Sequence, residues 1–237
     1  MQNRQRNILC TKELNADLLH LAAEAGIYIH CIPFIETAAL PEAILKTQLA
    51  PFSGMPVSVV FTSANAVSSV ARLDIDGSQW HVYCINGLTQ KTVKHAFPRA
   101  IIEAVAANGK SLAEKILNQN SGHDNVLFCC GDRRRNEVPE TLTAAGIPIK
   151  EVVVYNTILK PVVVSDSYDA YVFFSPSGVE SFLKCNNLPK DATIFTIGET
   201  TAACLKDITK KVITSEEPDT AFLIKKMISH FTIDTAI

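Results

Sequence analysis

Short apolar runs alternate with longer segments whose apolar residues recur every three to four positions, and this continues along the whole chain. The runs predict strands at Asn7–Cys10, Ile27–Cys31, Val57–Phe61, His81–Ile85, Arg99–Ile102, Asn125–Cys129, Ile149–Tyr155, Ala170–Phe174, Thr193–Ile197 and Lys211–Ile213. The longer segments, ADLLHLAAEAG (16–26) and SLAEKILNQ (111–119) among them, predict amphipathic helices. Strands that alternate with helices form parallel sheets covered on both faces, because each crossover helix packs back on the sheet. The expected fold class is therefore α/β.

The pattern also repeats. FTSANAV (61–67) lines up with FFSPSGV (173–179), so Ser63 and Ser175 correspond 112 residues apart. VYCINGLT (82–89) lines up with IFTIGETT (194–201) at the same offset and pairs Thr89 with Thr201. AAEAGIYIHCIPFIET (22–37) matches LTAAGIPIKEVVVYNT (142–157) at an offset of 120. Two copies of one α/β unit account for these matches, giving two similar five-stranded parallel sheets flanked by helices. The copies either follow one another as consecutive domains, or the first strand-helix-strand unit (1–33) joins the C-terminal half and leaves the middle as an insertion. The repeat is compatible with both. The proline-rich CIPFIETAALPEAILKTQLAPFSGMP (31–56) suits a crossing between domains, and YNTILKPVVV (155–164) suits the return.

Composition narrows the function classes. Hydrophobic residues make up 47% of the 237 and charged residues 19%, the profile of an ordered globular chain. Twenty-two basic against 24 acidic residues leave a formal charge of −2, which argues against bulk binding to nucleic acid or a membrane surface. No apolar stretch approaches the ~20 residues of a membrane helix, and MQNRQRNILC lacks the apolar segment of a signal peptide, so a cytoplasmic protein is expected. Seven cysteines without a CxxC pair read as reduced thiols, five of them (Cys10, Cys31, Cys84, Cys129 and Cys130) packed within strand-like runs. No GxGxxG, GxxxxGK[ST], GxSxG or HExxH occurs, and the six histidines show no ligand spacing.

In an open α/β sheet a ligand sits outside the carboxyl ends of the strands. There this sequence places Ser63 and Asn65, Asn86 and Thr89, Ser175 with Ser177 and Gly178, and Gly198 with Thr200 and Thr201. Small hydroxyl residues between a strand and a helix leave exposed N–H groups and a positive helix end, an arrangement that receives carboxylates or phosphates. Plain N-capping needs the same residue types. Four related sites from two copies, facing a shared cleft, favour anion binding. FCCGDRRRNEVPETL (128–142) adds Arg133, Arg134 and Arg135 at a strand end. Such a run is usually a solvated surface, but one guanidinium of the three could clamp a carboxylate. Tyr155 closes a strand at the proposed return crossing, where it is either a packing residue or a hydrogen-bond donor and weak acid.

VVFTSANAV, CCGDRRRNEVPETLTAAGI, VVVYNT, YVFFSPSGVESFL and TIFTIGETTAACL together resemble the uroporphyrinogen-III synthase family, in the family's order and spacing from about residue 55 onward. The resemblance implies two α/β domains joined by a two-stranded linker: residues 1–33 with 160–237, an inserted domain at 38–153, and linkers at 34–37 and 154–159. It implies a lyase that needs no cofactor or metal and acts as a monomer on a linear tetrapyrrole, hydroxymethylbilane, with a transient handover from hydroxymethylbilane synthase. The substrate is closed to the type III ring with loss of water and inversion of its last pyrrole. Carried over residue by residue, Thr89, Tyr155, Ser175, Ser177, Thr201 and Arg135 line the cleft. Asn86 departs from the family's glycine, and a left-handed Asn86 is expected to preserve the turn. Two other classes compete: a non-catalytic two-lobed binding protein for an anionic small molecule, and an enzyme handling nucleotides or sugar phosphates.

Overall fold

The computed structural model describes residues 5–119 and 126–233, so the expected strand start at Asn125 lies outside the described residues. The chain begins β1 (Arg6–Cys10), α1 (Ala16–Glu24), β2 (Ile27–Cys31), β3 (Ile35–Ala39) and α2 (Glu42–Leu49). It continues through β4 (Val57–Phe61), α3 (Ala64–Ala71), β5 (Trp80–Ile85), α4 (Leu88–Ala96), β6 (Ile101–Ala106) and α5 (Gly109–Gln119). Next come β7 (Val126–Gly131), α6 (Glu137–Ala144), β8 (Ile149–Leu159), β9 (Ala170–Phe173) and α7 (Pro176–Leu183). It closes with β10 (Thr193–Thr196), α8 (Glu199–Ala203), β11 (Val212–Thr214) and α9 (Thr220–Ile233). Among the described residues no helix is long and apolar enough to cross a membrane.

These elements make two compact units, Met1–Glu36 with Ile158–Ile237 and Thr37–Thr157. One sheet has five strands in the order β11-β10-β9-β1-β2, all parallel. The other has six, β3-β8-β7-β4-β5-β6, so the expected pair of five-stranded sheets is corrected here. The extra strand is β3, on the edge. Lys160 N–H bonds Phe34 O at 2.9 Å and Leu40 N–H bonds Val154 O at 3.0 Å, so β3 and β8 run in opposite directions. Its sequence, IETAA between Pro33 and Pro41, gives little strand signal because an edge strand has one hydrogen-bonded neighbour and needs little apolar surface.

Apart from β3, the two sheets have equivalent orders. β8-β7-β4-β5-β6 corresponds strand by strand to β2-β1-β9-β10-β11, which is why β4 and β9 match at an offset of 112 while β8 and β2 match at 120. The preceding helices stop in the same way. α1 and α6 run into AEAG and TAAG, whose Gly26 and Gly146 take left-handed backbone at φ 74° and 75°.

Each sheet buries both faces. Along β4, Val57, Val59 and Phe61 enter one core and Val60 the opposite one. Along β9, Ala170 and Val172 face one side and Tyr171 and Phe173 the other. Full burial of such large side chains contributes about 1.5–3 kcal/mol each. One strand is displaced from its expected position. β6 begins at Ile101 because Ala100 N–H bonds Phe97 O at 3.1 Å in a turn behind Pro98, and it then continues through Ala106.

Candidate functional site

In an open parallel sheet the crossovers depart in opposite directions at one point, and the loops there splay apart beyond the strand ends. In the unit Met1–Glu36 with Ile158–Ile237 that point falls between β1 and β9, since β1 leads to β2 on one side and β9 to β10 on the other. In the unit Thr37–Thr157 it falls between β4 and β7. Ser175 follows β9 and Ser63 follows β4, so the two matched serines occupy the matched switch points.

At the first of these, Ser175 is the extended residue before α7, and its Oγ accepts from Gly178 N–H at 3.1 Å. Pro176 opens the helix, where its missing N–H costs nothing. Ser177 is half-buried and Gly178 buried. A Cβ on Gly178 would sit 3.4 Å from Ser175 Oγ and 3.7 Å from Thr11 Oγ1, so space alone does not demand glycine there. Thr11, at the end of β1, is buried and donates through Oγ1 to Val172 O at 2.9 Å, tying the β1 end to β9. Lys12 brings a cation to the same strand end, with Nζ 3.3 Å from Thr220 Oγ1 and 5.4 Å from the centre of the Phe174 ring. In α8, Thr200 is exposed and Thr201 is buried.

At the second switch point a side-chain cluster forms. Ser63 caps α3, and its Oγ accepts from Asn65 N–H and from Tyr155 Oη, both at 3.2 Å. A hydroxyl has two acceptor positions and one hydrogen. With both acceptor positions filled, Ser63 retains one hydrogen to donate. Tyr155 reaches this place through a register shift: Cys130 pairs with Val153, but Gly131 pairs with Tyr155. Its ring lies against Gly131 so closely that a Cβ there would be 2.5 Å from Cζ and 2.7 Å from Oη. Burial raises the phenol pKa above its ordinary value while the Ser63 bond opposes the rise, so the hydroxyl is a neutral donor at pH 7. Asp132 secures the adjoining loop, donating through N–H to Tyr155 O at 3.1 Å and accepting from Thr157 N–H at 2.8 Å.

The arginines divide. Arg134 is committed to Glu151 and, at 2.6 Å, to Asn136. Arg135 is more than half exposed and stands 4.0 Å from Glu137, at the limit of an ion pair. Thr89 is buried in the first turn of α4. The expectation for Asn86 is corrected: Gly87 takes the left-handed backbone at φ 73°, and no residue other than glycine has positive φ among the described residues. Gly87 and Gly198 therefore precede the two helices, and Thr89 is the second residue of its helix where Thr201 is the third of its own.

A cavity of about 200 Å³ opens beside Tyr155, lined also by Thr37, Asn65, Ser68, Ser69 and Arg72. A larger one of about 260 Å³ lies by the amino ends of β5 and β6 and is lined by Asp74, Asp76 and Arg99. Asp76 and Arg99 pair there at 3.3 Å. Its acidic lining and its place at the wrong strand ends exclude it as an anion site. Thr11, Lys12 and Arg72 were not singled out by sequence reasoning. Thr11 carried the same signal as Ser63, a hydroxyl residue after an apolar run, in LCTK.

Two α/β units of equivalent strand order, each with a hydroxyl-capped helix start at its switch point, define a duplicated α/β protein. The sequence matches the profile described as Uroporphyrinogen-III synthase HemD over residues 16–225, and the chain belongs to that family. A uroporphyrinogen-III synthetase from Helicobacter pylori has a similar structure, with a TM-score of 0.68 at 20% identity over 95% of this chain and 99% of that one. A mutant uroporphyrinogen III synthase from the extremely thermophilic bacterium Thermus thermophilus matches with a TM-score of 0.65 at 13% identity, over 97% and 99%. At these identities the structural likeness concerns the fold.

Proposed function

We propose that this chain is a uroporphyrinogen-III synthase: a cyclising hydro-lyase that converts hydroxymethylbilane to uroporphyrinogen III without a cofactor. The observation that carries the reading is the half-buried Tyr155 phenol, seated on Gly131 and bonded to Ser63 at a switch point. The substrate's terminal hydroxyl leaves as water, taking up one proton, and the pyrrole electrons follow to give an azafulvene. Tyr155 supplies that proton, directly or through Ser63, to which it is hydrogen-bonded. The azafulvene carbon then bonds to the substituted α-carbon of the last pyrrole, forming a spiro intermediate. Cleavage of the old bond and reclosure at the free position invert that ring, and loss of a proton restores aromaticity.

Unassisted closure gives the type I isomer, so the protein's task is chiefly positioning. A hundredfold preference for type III takes about 2.7 kcal/mol, well within the ~7–11 kcal/mol that orientation can supply. Substrate carboxylates are received at Ser63 and Asn65, and at Ser175, Ser177, Gly178 and Thr200, with Arg135 as a further contact. Thr89 and Thr201, both buried, act by shaping the first turns of their helices. We place the domains at 1–33 with 160–237 and at 38–153, with 34–37 and 154–159 as a two-stranded linker. The chain acts as a cytoplasmic monomer and takes its substrate from hydroxymethylbilane synthase.

The test uses freshly generated hydroxymethylbilane, with products oxidised and the isomers separated chromatographically. Type III product from the wild type, and a loss of about 100-fold or more in kcat for Tyr155→Phe, are expected for a positioned acid. Exclusive type I product at the uncatalysed rate would overturn the reading. Full turnover by Tyr155→Phe would remove the acid role.

A further inference from the structure

The cavity beside Tyr155 has a composition that the proposed mechanism does not use. Asn65, Ser68, Ser69 and Arg72 are spaced by three, one and three residues along α3 and onto its C-terminal cap, so they share one face of the helix. Each lines the cavity, as do Thr37 and Tyr155, and no acidic residue does. Hydroxyls, a carboxamide, a phenol and a guanidinium therefore surround one small space.

Two of its lining groups are hydrogen-bond donors suited to an anion. Ser69 is only 5% exposed, and it lines the cavity from the middle of the helix. The Arg72 guanidinium is exposed and makes no hydrogen bond or close ion pair among the described residues, although its charge helps hold the Glu42 carboxyl below the usual range. Its acidic neighbour Glu42 is already held by Lys46 at 2.6 Å. A planar guanidinium beside neutral donors, in a cavity with no acidic lining residue, suits a carboxylate bound in bidentate fashion.

We propose that this cavity receives one carboxylate-bearing arm of the tetrapyrrole, with Arg72 as its cationic partner and Ser69 donating to the same group. The inference rests on the synthase reading, to which it adds a subsite and a specificity residue. Size supports an arm rather than the whole ligand: about 200 Å³ falls below the ~300–1,000 Å³ of pockets that enclose a complete small molecule. Because Tyr155 forms one wall, an arm anchored on Arg72 fixes how far the adjoining ring stands from the phenol. Arg72 is thus a positioning residue, acting mainly on substrate capture.

Steady-state kinetics with freshly generated hydroxymethylbilane test this in wild type, Arg72→Gln and Arg72→Lys. Loss of a charge-assisted bidentate contact predicts a KM raised about 10- to 100-fold in Arg72→Gln, with a smaller change in kcat. Arg72→Lys, which keeps the charge but not the fork, falls between. Arg72 is exposed, and circular dichroism establishes that both variants are folded. A KM within twofold of wild type in Arg72→Gln, while type III product still forms, overturns the subsite and leaves the synthase reading standing. If the wild type yields only type I product, the synthase reading fails. The subsite is then judged with uroporphyrin III as probe, by fluorescence titration. Binding at least tenfold weaker in Arg72→Gln supports it, and equal binding overturns it.

Discussion

Gly131→Ala isolates the feature on which the Tyr155 geometry depends. Gly131 does not have left-handed backbone, so the substitution introduces no φ strain. What it introduces is a methyl group 2.5 Å from Tyr155 Cζ, 2.7 Å from Oη and 2.8 Å from Cε2. Contacts that short force either the ring off its seat or β7 away from β8. The strands are constrained by the register Cys129↔Val152 and Cys130↔Val153, so the ring is the part that yields. Overpacking of this kind costs about 1–3 kcal/mol, and displacement of the phenol also removes its bond to Ser63. Urea unfolding of wild type, Gly131→Ala, Tyr155→Ala and the double variant gives the coupling energy directly. We expect Gly131→Ala to destabilise by about 1–3 kcal/mol and to cost almost nothing once the ring is gone, a coupling of the same size. Turnover should fall with it, toward the level of Tyr155→Phe. If Gly131→Ala lies within about 0.5 kcal/mol of wild type, or costs the same with and without the Tyr155 ring, the steric argument is wrong.

Further expectations concern caps and thiols. Ser175→Ala removes the bond from Gly178 N–H and should cost about 1 kcal/mol; Ser63→Ala should cost more, since it also abandons Tyr155, and equal unfolding midpoints for the two variants would contradict this. Burial pushes the Cys84 and Cys130 thiols up to about 11 and Cys129 further in the same direction. Above an ordinary thiol pKa of ~8.5 the unfolded chain has lost protons that the folded one retains. Stability is therefore complete below about pH 8 and is lost as pH rises through the folded values, by up to about 2 kcal/mol per thiol at pH 10. A urea midpoint unchanged between pH 7 and pH 10 in reducing buffer would refute it. Cys10 and Cys31 are in register on β1 and β2, and their side-chain interaction lowers the Cys31 thiol to about 7 while Cys10 itself is raised. Iodoacetamide labelling of Cys31 should be half-maximal near that pH and should move toward ~8.5 in Cys10→Ala; an ordinary thiol profile for Cys31 in the wild type would contradict it.

The strand ends were legible in the sequence because the chemistry is local. A hydroxyl residue between an apolar run and a helix is visible in FTSAN and FFSPS without any knowledge of neighbours, and duplication at a fixed offset marks the two as equivalent. β3 was not legible, since an edge strand is stabilised by a partner more than a hundred residues away and shows no apolar alternation of its own. Nor was the role of Gly131, whose need for space is set by the Tyr155 ring 24 positions later. The left-handed residue before α4 was assigned one position early, because the repeat aligns Asn86 with Gly198 although the second helix begins a residue earlier relative to its threonine. Arg72 belongs to a polar face that could have been read from the spacing of Asn65, Ser68 and Ser69. That Lys46 holds the neighbouring Glu42 could not be read there, because it is a fact of packing.

The equivalent strand orders also fix a sequence of events during synthesis. β4 to β8 all come from one continuous stretch, whereas β1 must pair on one side with β9, where Ile8 meets Ala170. At about 5–20 residues per second, roughly 8–30 s separate the emergence of those two strands from the ribosome. For that interval β1 and β2 can form only a two-stranded ribbon with an open, apolar edge, while the stretch from 37 to 157 has everything it needs to fold. The serine that prepares the first switch point, Ser175, arrives with the strand that closes this edge. The interval between the two is when the nascent protein is most exposed to mispairing, and β1 is the strand where a chaperone would have the most to protect.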